Sequence, residues 1–397
     1  MYSRIQRKYA LSAYFQPQTM AAKLARIVAA AFVLVIGVGI LVFISRQNNA
    51  GQRDFISYWS AGQLLRQGGD PYDWNSVLSL EQKAGFTGNQ PLIMRNPPVA
   101  LFLAAPFGYV SANTASILWM LFLLAAVLLS IRLIWLTNGS PPNRNHLLGY
   151  CFAPLMSCMM LGQLGIVLLL GTALFFYLLP RRPFLAGVAL LLCSIKPHLF
   201  VPFGLALLLW IMQRKAWSVL AGVATSVGVS CLLSFTLDPH AWTQYHQMVR
   251  TAGIMQQIVP TWSEMLRQAI DKNSVWLQFV PEVVACAWAV RYYRSHRAAW
   301  QWLHHGFLLL LVGVLCSPYA LFTDECLLLP AVLSAVYAAE RNQRSLIVFG
   351  SLAAIAMLEV MTNIPIVTVY YLWTPIAWLA WYLYATRPKS VMHAAAA

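Results

Sequence analysis

Charge is what this sequence has least of. Charged residues make up 10% of its 397 positions, and only 12 are Asp or Glu, against 59% hydrophobic residues. A soluble domain carries about a quarter of its residues as charges, so this composition excludes an ordinary water-soluble fold. Cysteine is also sparse: of seven, nearly all lie inside apolar runs and none forms a C-x-x-C pair, which excludes a disulfide framework and a thiolate metal centre. No Walker, Rossmann or Ser-His-Asp signature is present, and the histidines do not fall at metal-ligand spacing from carboxylates. Neither a bound cofactor nor a metal is therefore expected. Internal repeats and a second soluble domain are lacking too, which leaves a single integral membrane domain over 1–397.

Long apolar runs are what fills the chain. They recur near 26–45, 111–136, 164–180, 217–237, 275–293, 345–361 and 368–386, with shorter ones at 147–160, 184–195, 198–212, 303–316 and 322–338. The longer ones are close to the roughly 20 residues that a hydrocarbon core of about 30 Å requires of a helix, and the shorter ones read as spans with softer ends. Their apolarity is continuous, not alternating, which argues against a barrel. The expectation is an all-α polytopic protein, a bundle of about 11–13 spans with short amphipathic helices at its surface.

The net charge of +15 could suggest a nucleic-acid partner, but its placement excludes one. With the N-terminus threaded inside, the short inner loops collect Arg132, Arg144, Arg181, Arg182, Arg214, Lys215, Arg291, Arg294, Arg297 and Arg387 against one acid, Glu340. This is the positive-inside pattern. It predicts a cytoplasmic N-terminus in a plasma or inner membrane. It leaves two polar segments, 46–97 and 238–274, on the outer, periplasmic face. The first run, behind a basic stretch, is too long for a signal-peptide core and reads as an uncleaved anchor. The last residues, His393 to Ala397, read as a disordered tail.

Chemistry-bearing residues gather on that outer face. Asp54 heads an apolar stripe of Phe55, Tyr58, Trp59, Leu64 and Leu65 at helical spacing, and two readings of it are open. It caps the helix, or it is a carboxylate held to take a proton from an attacking hydroxyl. Gly68-Gly69-Asp70-Pro71-Tyr72 should end that helix, and a second short helix follows near 75–85. Both helices are expected to lie flat at the membrane interface. Arg95, before Asn96-Pro97-Pro98, suits either a phosphate or lipid headgroups. Lys196-Pro197-His198 interrupts an apolar stretch, and an ionisable group at that depth costs a few kcal/mol. It suits the phosphate of a lipid-linked donor or, alternatively, a lysine snorkelling from a helix end. Ser317-Pro318-Tyr319 through Asp324-Glu325 is a second polar break. Gly162-Gln163 reads foremost as a plain turn, and Glu282 and Glu359 as interface residues.

Taken in order, these pieces resemble glycosyltransferase family 87, polytopic enzymes of the GT-C superfamily that include polyprenol-phosphate-mannose-dependent mannosyltransferases. The likeness covers roughly 50–340. It rests on Asp54-Phe55 with Tyr58 and Ala61, on Gly69-Asp70-Pro71-Tyr72 and Asn96-Pro97-Pro98, on Gly162-Gln163 with Ala186-Gly187 and Lys196-Pro197, and on Ser317-Pro318-Tyr319. It departs from the family pattern at Asn96, at Leu164-Gly165 and at Thr323-Asp324-Glu325. The resemblance implies a GT-C fold, Asp54 as catalytic base, a polyprenyl-phosphate sugar as donor and inversion on the periplasmic face, without nucleotide-sugar or essential metal. Lys196, His198 and Arg95 would then hold the donor phosphate. Tyr58, Asn96, Gln163, Asp324 and Glu325 would contact or support the substrates. The sugar is expected to be a hexose, foremost mannose, and the acceptor a hydroxyl of a lipid or glycan. Partners would be membrane lipids and these two substrates. A transporter or flippase of lipid-linked sugars is the alternative, though its usual repeats and mid-membrane acids are lacking. A non-catalytic assembly partner is a second one, which would not depend on Asp54.

Overall fold

A computed structural model of the chain describes residues 51, 53–251, 259–341, 345–363 and 369–387. The expected anchor at 26–45, the side of the membrane on which the N-terminus lies and the tail at 393–397 fall outside the described residues.

Every regular element among the described residues is a helix. Two short helices come first, α1 (Ile56–Gln67) and α2 (Trp74–Lys83). Then follow α3 (Ala112–Thr137), α4 (Ala153–Leu161), α5 (Gly165–Leu178), α6 (Pro183–Ala189), α7 (Val201–Arg214) and α8 (Trp217–Leu237). The second polar segment holds α9 (Ala241–Thr251) and α10 (Trp262–Ile270). The chain continues through α11 (Val280–His296), α12 (Phe307–Cys316), α13 (Leu329–Arg341), α14 (Ser345–Asn363) and α15 (Thr374–Thr386). The protein is an all-α polytopic membrane protein.

Three continuous helical stretches are long and apolar enough to cross a bilayer: Ala112–Thr137, Trp217–Leu237 and Phe322–Ala339. Five shorter apolar ones, among them Gly165–Leu178 and Trp302–Cys316, accompany them. A 14-residue helix reaches only about 21 Å at 1.5 Å per residue, so several predicted spans are shorter or broken helices. Proline accounts for many of the breaks. It occupies the first turn of α4, α6, α7, α11 and α15, where its missing N–H costs nothing but the helix cannot extend backwards.

The two N-terminal helices form where the turn signals put them. The first stops at Gly68 in the left-handed conformation, and the second is capped by Asp73, whose carboxylate accepts the Ser76 N–H at 2.8 Å. Their predicted setting is different. From Ile56 to Leu65 every residue of α1 is buried, so this helix does not lie flat on a surface. Phe55, at its start, stacks on Trp119 of α3 at 5.5 Å and meets Phe107 edge-on at 5.8 Å. Polar atoms of this helix find partners inside: Trp59 Nε1 donates to the Val110 carbonyl at 3.0 Å and Gln63 Nε2 to the same carbonyl at 3.3 Å.

Three further contacts bring distant parts of the chain together. A Cβ on Gly165 would lie 2.1 Å from the Thr323 carbonyl oxygen. Only glycine therefore lets the start of α5 reach the 3₁₀ turn Phe322–Leu328. In the second polar segment, the Thr261 hydroxyl caps α10 by accepting the Glu264 N–H at 3.0 Å. Glu264 and Arg267, both buried, then pair at 2.6 Å. The neighbouring Ser263 hydroxyl donates to the Cys316 carbonyl at 3.0 Å, which fastens α10 to the break after α12. Glu359, expected at an interface, is buried instead and accepts the Trp378 Nε1–H at 2.8 Å. An acid on an apolar helix needs such a donor once it is out of water.

Candidate active site

The helix α4 ends on Gly162 with φ +72°, a left-handed turn that glycine adopts without strain. A side chain there would also approach Phe55 Cβ at 3.0 Å. Trp119 Nε1 donates to the Gly162 carbonyl at 2.8 Å and the Gln163 N–H to the Cys158 carbonyl at 3.0 Å. The turn is thus fixed on both sides, and the Gln163 side chain leaves it in a set direction. Its amide Nε2 donates to Asp54 Oδ2, and its Oε1 accepts from the Tyr58 hydroxyl at 3.5 Å. Gln163 therefore does more than form a turn.

Asp54 does not cap α1. Residues 53–55 already follow a helical turn, with Ile56 N–H on Arg53 O at 3.0 Å and Ser57 N–H on Asp54 O at 3.2 Å. The first residue before the helix is Phe55, which offers no side-chain cap. The Asp54 carboxylate points elsewhere, towards Gln163, and its Oδ1 receives no hydrogen bond among the described residues. Burial raises the Asp54 carboxyl above the ordinary aspartate range; the Gln163 hydrogen bond and the charges of Lys196 and Arg95 draw it part of the way back. A raised value makes the carboxylate a better proton acceptor.

Asp54 lines a cavity of about 520 Å³, within the size range of small-molecule sites. Tyr58, Arg95, Asn96, Gln163, Lys196, His198 and Asp324 line the same cavity, although they come from five separate stretches of sequence. Lys196 sits between two 3₁₀ turns, Cys193–Ile195 and Pro197–Phe200, so the predicted helix break is present. Its Nζ donates to Asp324 Oδ1 at 2.6 Å, with side-chain exposures of 15% and 3%. The other oxygen of Asp324 accepts the Leu321 N–H at 3.1 Å. The lysine thus already has an anionic partner, and two of its three N–H donors remain for a ligand. Arg95 is exposed at the cavity and makes no ion pair among the described residues. Asn96 Nδ2 donates to the Ile195 carbonyl at 3.2 Å and so ties the Arg95 segment to the Lys196 break.

Glu325 is placed away from these residues. It is buried, accepts from the Thr374 hydroxyl at 2.5 Å and does not line the cavity. Successive residues of a tight turn point in different directions, so adjacency to Asp324 did not carry it into the site. Three further aromatic residues line the cavity: Tyr245 on α9, Phe279 before α11, and Tyr319, whose ring meets His198 edge-on at 6.0 Å. Tyr319 lay in a motif noticed in the sequence. Tyr245 did not, and its only signal was an aromatic residue on a short polar helix. Among the described residues no group of three His, Cys, Asp or Glu is arranged to hold a metal.

No curated protein and no solved structure matches this chain. The model of glycosyltransferase family 87 matches residues 95–318, a stretch that takes in Arg95, Asn96, Gln163, Lys196 and His198 and begins after Asp54. That stretch is more than half of the sequence, and the chain belongs to glycosyltransferase family 87.

Proposed function

We propose that this membrane glycosyltransferase moves a hexose, foremost mannose, from a polyprenyl-phosphate donor to a hydroxyl of a lipid or glycan on the periplasmic face. The observation that carries the reading is one cavity that holds a carboxylate with a free oxygen within electrostatic reach of two cations. Asp54 takes the proton from the acceptor hydroxyl. The hydroxyl oxygen then bonds to the anomeric carbon as the bond from that carbon to the phosphate oxygen breaks. One displacement inverts the configuration. Polyprenyl phosphate departs with the electron pair, and Lys196 and Arg95, with His198 beside them, stabilise its charge. Gln163 holds Asp54 in the attacking geometry, with Tyr58 behind it.

The charges of the site favour a donor with one phosphate. Asp54 and Asp324 offset Lys196 and Arg95, so the cavity suits one added negative charge better than several. The test supplies the purified protein in nanodiscs with labelled polyprenyl-phosphate mannose, glucose, galactose and arabinose, and separately with nucleotide-sugars, alongside a lipid extract of its host. The reading expects transfer from a polyprenyl-phosphate sugar, with inverted configuration in the product. Transfer from the nucleotide-sugars alone, or with retention, would overturn it.

A further inference from the structure

Among the acids outside the mechanism above, Glu81 holds a segment that lines the cavity. It lies in the last turn of α2, one helical turn after the buried Val77, and is itself completely buried. One carboxylate oxygen, Oε2, accepts the Leu92 N–H at 3.0 Å. The other, Oε1, is buried with no partner among the described residues. A buried acceptor oxygen that holds a backbone N–H is costly to remove, because the N–H is then left unpaired out of water. Burial pushes its pKa up to about 7, the Leu92 bond opposes that shift, and the charge of Asp54 adds to it. The two carboxyl groups are therefore electrostatically linked through the cavity wall.

That wall is the segment from Leu92 to Pro97, each residue of which lines the cavity. It is neither helix nor strand. Among the described residues, no backbone-to-backbone hydrogen bond ties its first four residues to another part of the chain. Side chains tether it instead: Glu81 at Leu92, and at the other end the Tyr72 hydroxyl, which donates to the Asn96 carbonyl at 3.1 Å. Arg95 projects from between these two anchors.

We infer that Glu81 is a positioning residue that anchors the 92–97 wall through Leu92 and thereby sets Arg95 against the phosphate of the donor. This rests on the donor reading above, in which Arg95 meets a phosphate. Glu81 touches neither substrate and acts through the backbone it holds.

The test compares Glu81→Ala and Glu81→Gln with the wild type in nanodiscs, each also in an Arg95→Ala background. Two readouts are used: KM and kcat for the donor that supports transfer, and amide hydrogen exchange of a peptide spanning 91–97. Loss of a bond to a charged acceptor should raise the donor KM about 10-fold in Glu81→Ala, with kcat and the acceptor KM changed by less than about 2-fold. Glutamine keeps an acceptor oxygen for Leu92, so Glu81→Gln should stay close to the wild type. In the Arg95→Ala background, Glu81→Ala should add under about 2-fold to KM, since residues acting through one another are not additive. Exchange at 91–97 should quicken in Glu81→Ala alone. Equal exchange in all three proteins, additive effects of Glu81 and Arg95, or a Glu81→Gln as impaired as Glu81→Ala would each overturn the inference. If no polyprenyl-phosphate sugar is transferred, the donor reading fails on that result, while the exchange measurement still decides whether Glu81 anchors the wall.

Discussion

Breaking the ion pair between Lys196 and Asp324 should be among the most damaging polar changes in this protein. The two groups meet at 2.6 Å with little exposure on either side, and the remaining Asp324 oxygen is held by Leu321. Removing one partner of a buried pair strands the other charge, which costs about 3–5 kcal/mol. Lys196 keeps 15% exposure, so the lower end, about 3 kcal/mol, is expected for Asp324→Asn and for Lys196→Met. Together the two substitutions leave no charge stranded, and the double variant should recover about 2 kcal/mol of the summed loss. Unfolding in mixed micelles, followed by tryptophan fluorescence, gives the four stabilities of the cycle. A coupling below about 1 kcal/mol would place the pair with exposed surface bridges and refute the argument from burial. The kinetics separate the partners further. Lys196→Met should raise the donor KM through loss of a phosphate contact. Asp324→Asn frees an N–H of Lys196 and should leave donor KM unchanged or lower.

Gln163→Leu deprives Asp54 Oδ2 of its donor. A bond to a charged acceptor contributes about 1.5–3 kcal/mol, so kcat should fall about 10- to 100-fold while the fold persists; an unchanged kcat would show that Gln163 does not orient the base. Gly162→Ala forces a side chain into the left-handed region at φ +72° and towards Phe55, which should cost about 1–2 kcal/mol and lower the melting temperature along with transfer. Asp54 must be ionised to act, and its carboxyl titrates above the ordinary range, so transfer should decline on acidification at a higher pH than an unperturbed aspartate would give. The same shift has a consequence for stability. The folded state binds this proton more tightly than the unfolded chain, so stability falls as pH rises through the folded value and stays lower at neutrality. Asp54→Asn should therefore melt above the wild type at pH 7, and a lower melting point would contradict the raised value.

The sequence carried the helical class and the membrane setting, because continuous apolar runs follow directly from the solvent. It also carried the two short helices, since Gly68 and Asp73 mark their ends chemically. What it concealed was three-dimensional in origin. The burial of α1 depends on Phe107 and Trp119, which lie more than fifty residues downstream, so a stripe of aromatic residues looked like a membrane-facing surface. The cap reading of Asp54 stayed open beside the catalytic one because caps are local, while its actual partner, Gln163, is 109 residues away. Asp324 could not be named as the partner of Lys196, because the sequence does not reveal that Gly165 lets α5 approach Thr323 in the turn that also presents Asp324. The settings of Glu325 and Glu81 were hidden for a similar reason. Adjacency to a motif drew attention to the first, and the second stands on a short polar helix where an acid raises no suspicion until its burial is seen.

The measurement that bears most directly on the role of Asp54 is single-turnover sugar transfer by the wild type and Asp54→Asn from the donor that works best, with donor binding measured on the same samples. A positioned base contributes about 10²- to 10⁴-fold. The variant should lose at least about 100-fold in rate and bind the donor as before, because asparagine can still accept the Gln163 hydrogen bond. A rate within a few-fold of the wild type would contradict Asp54 as the base and move the proton transfer to another group of the cavity.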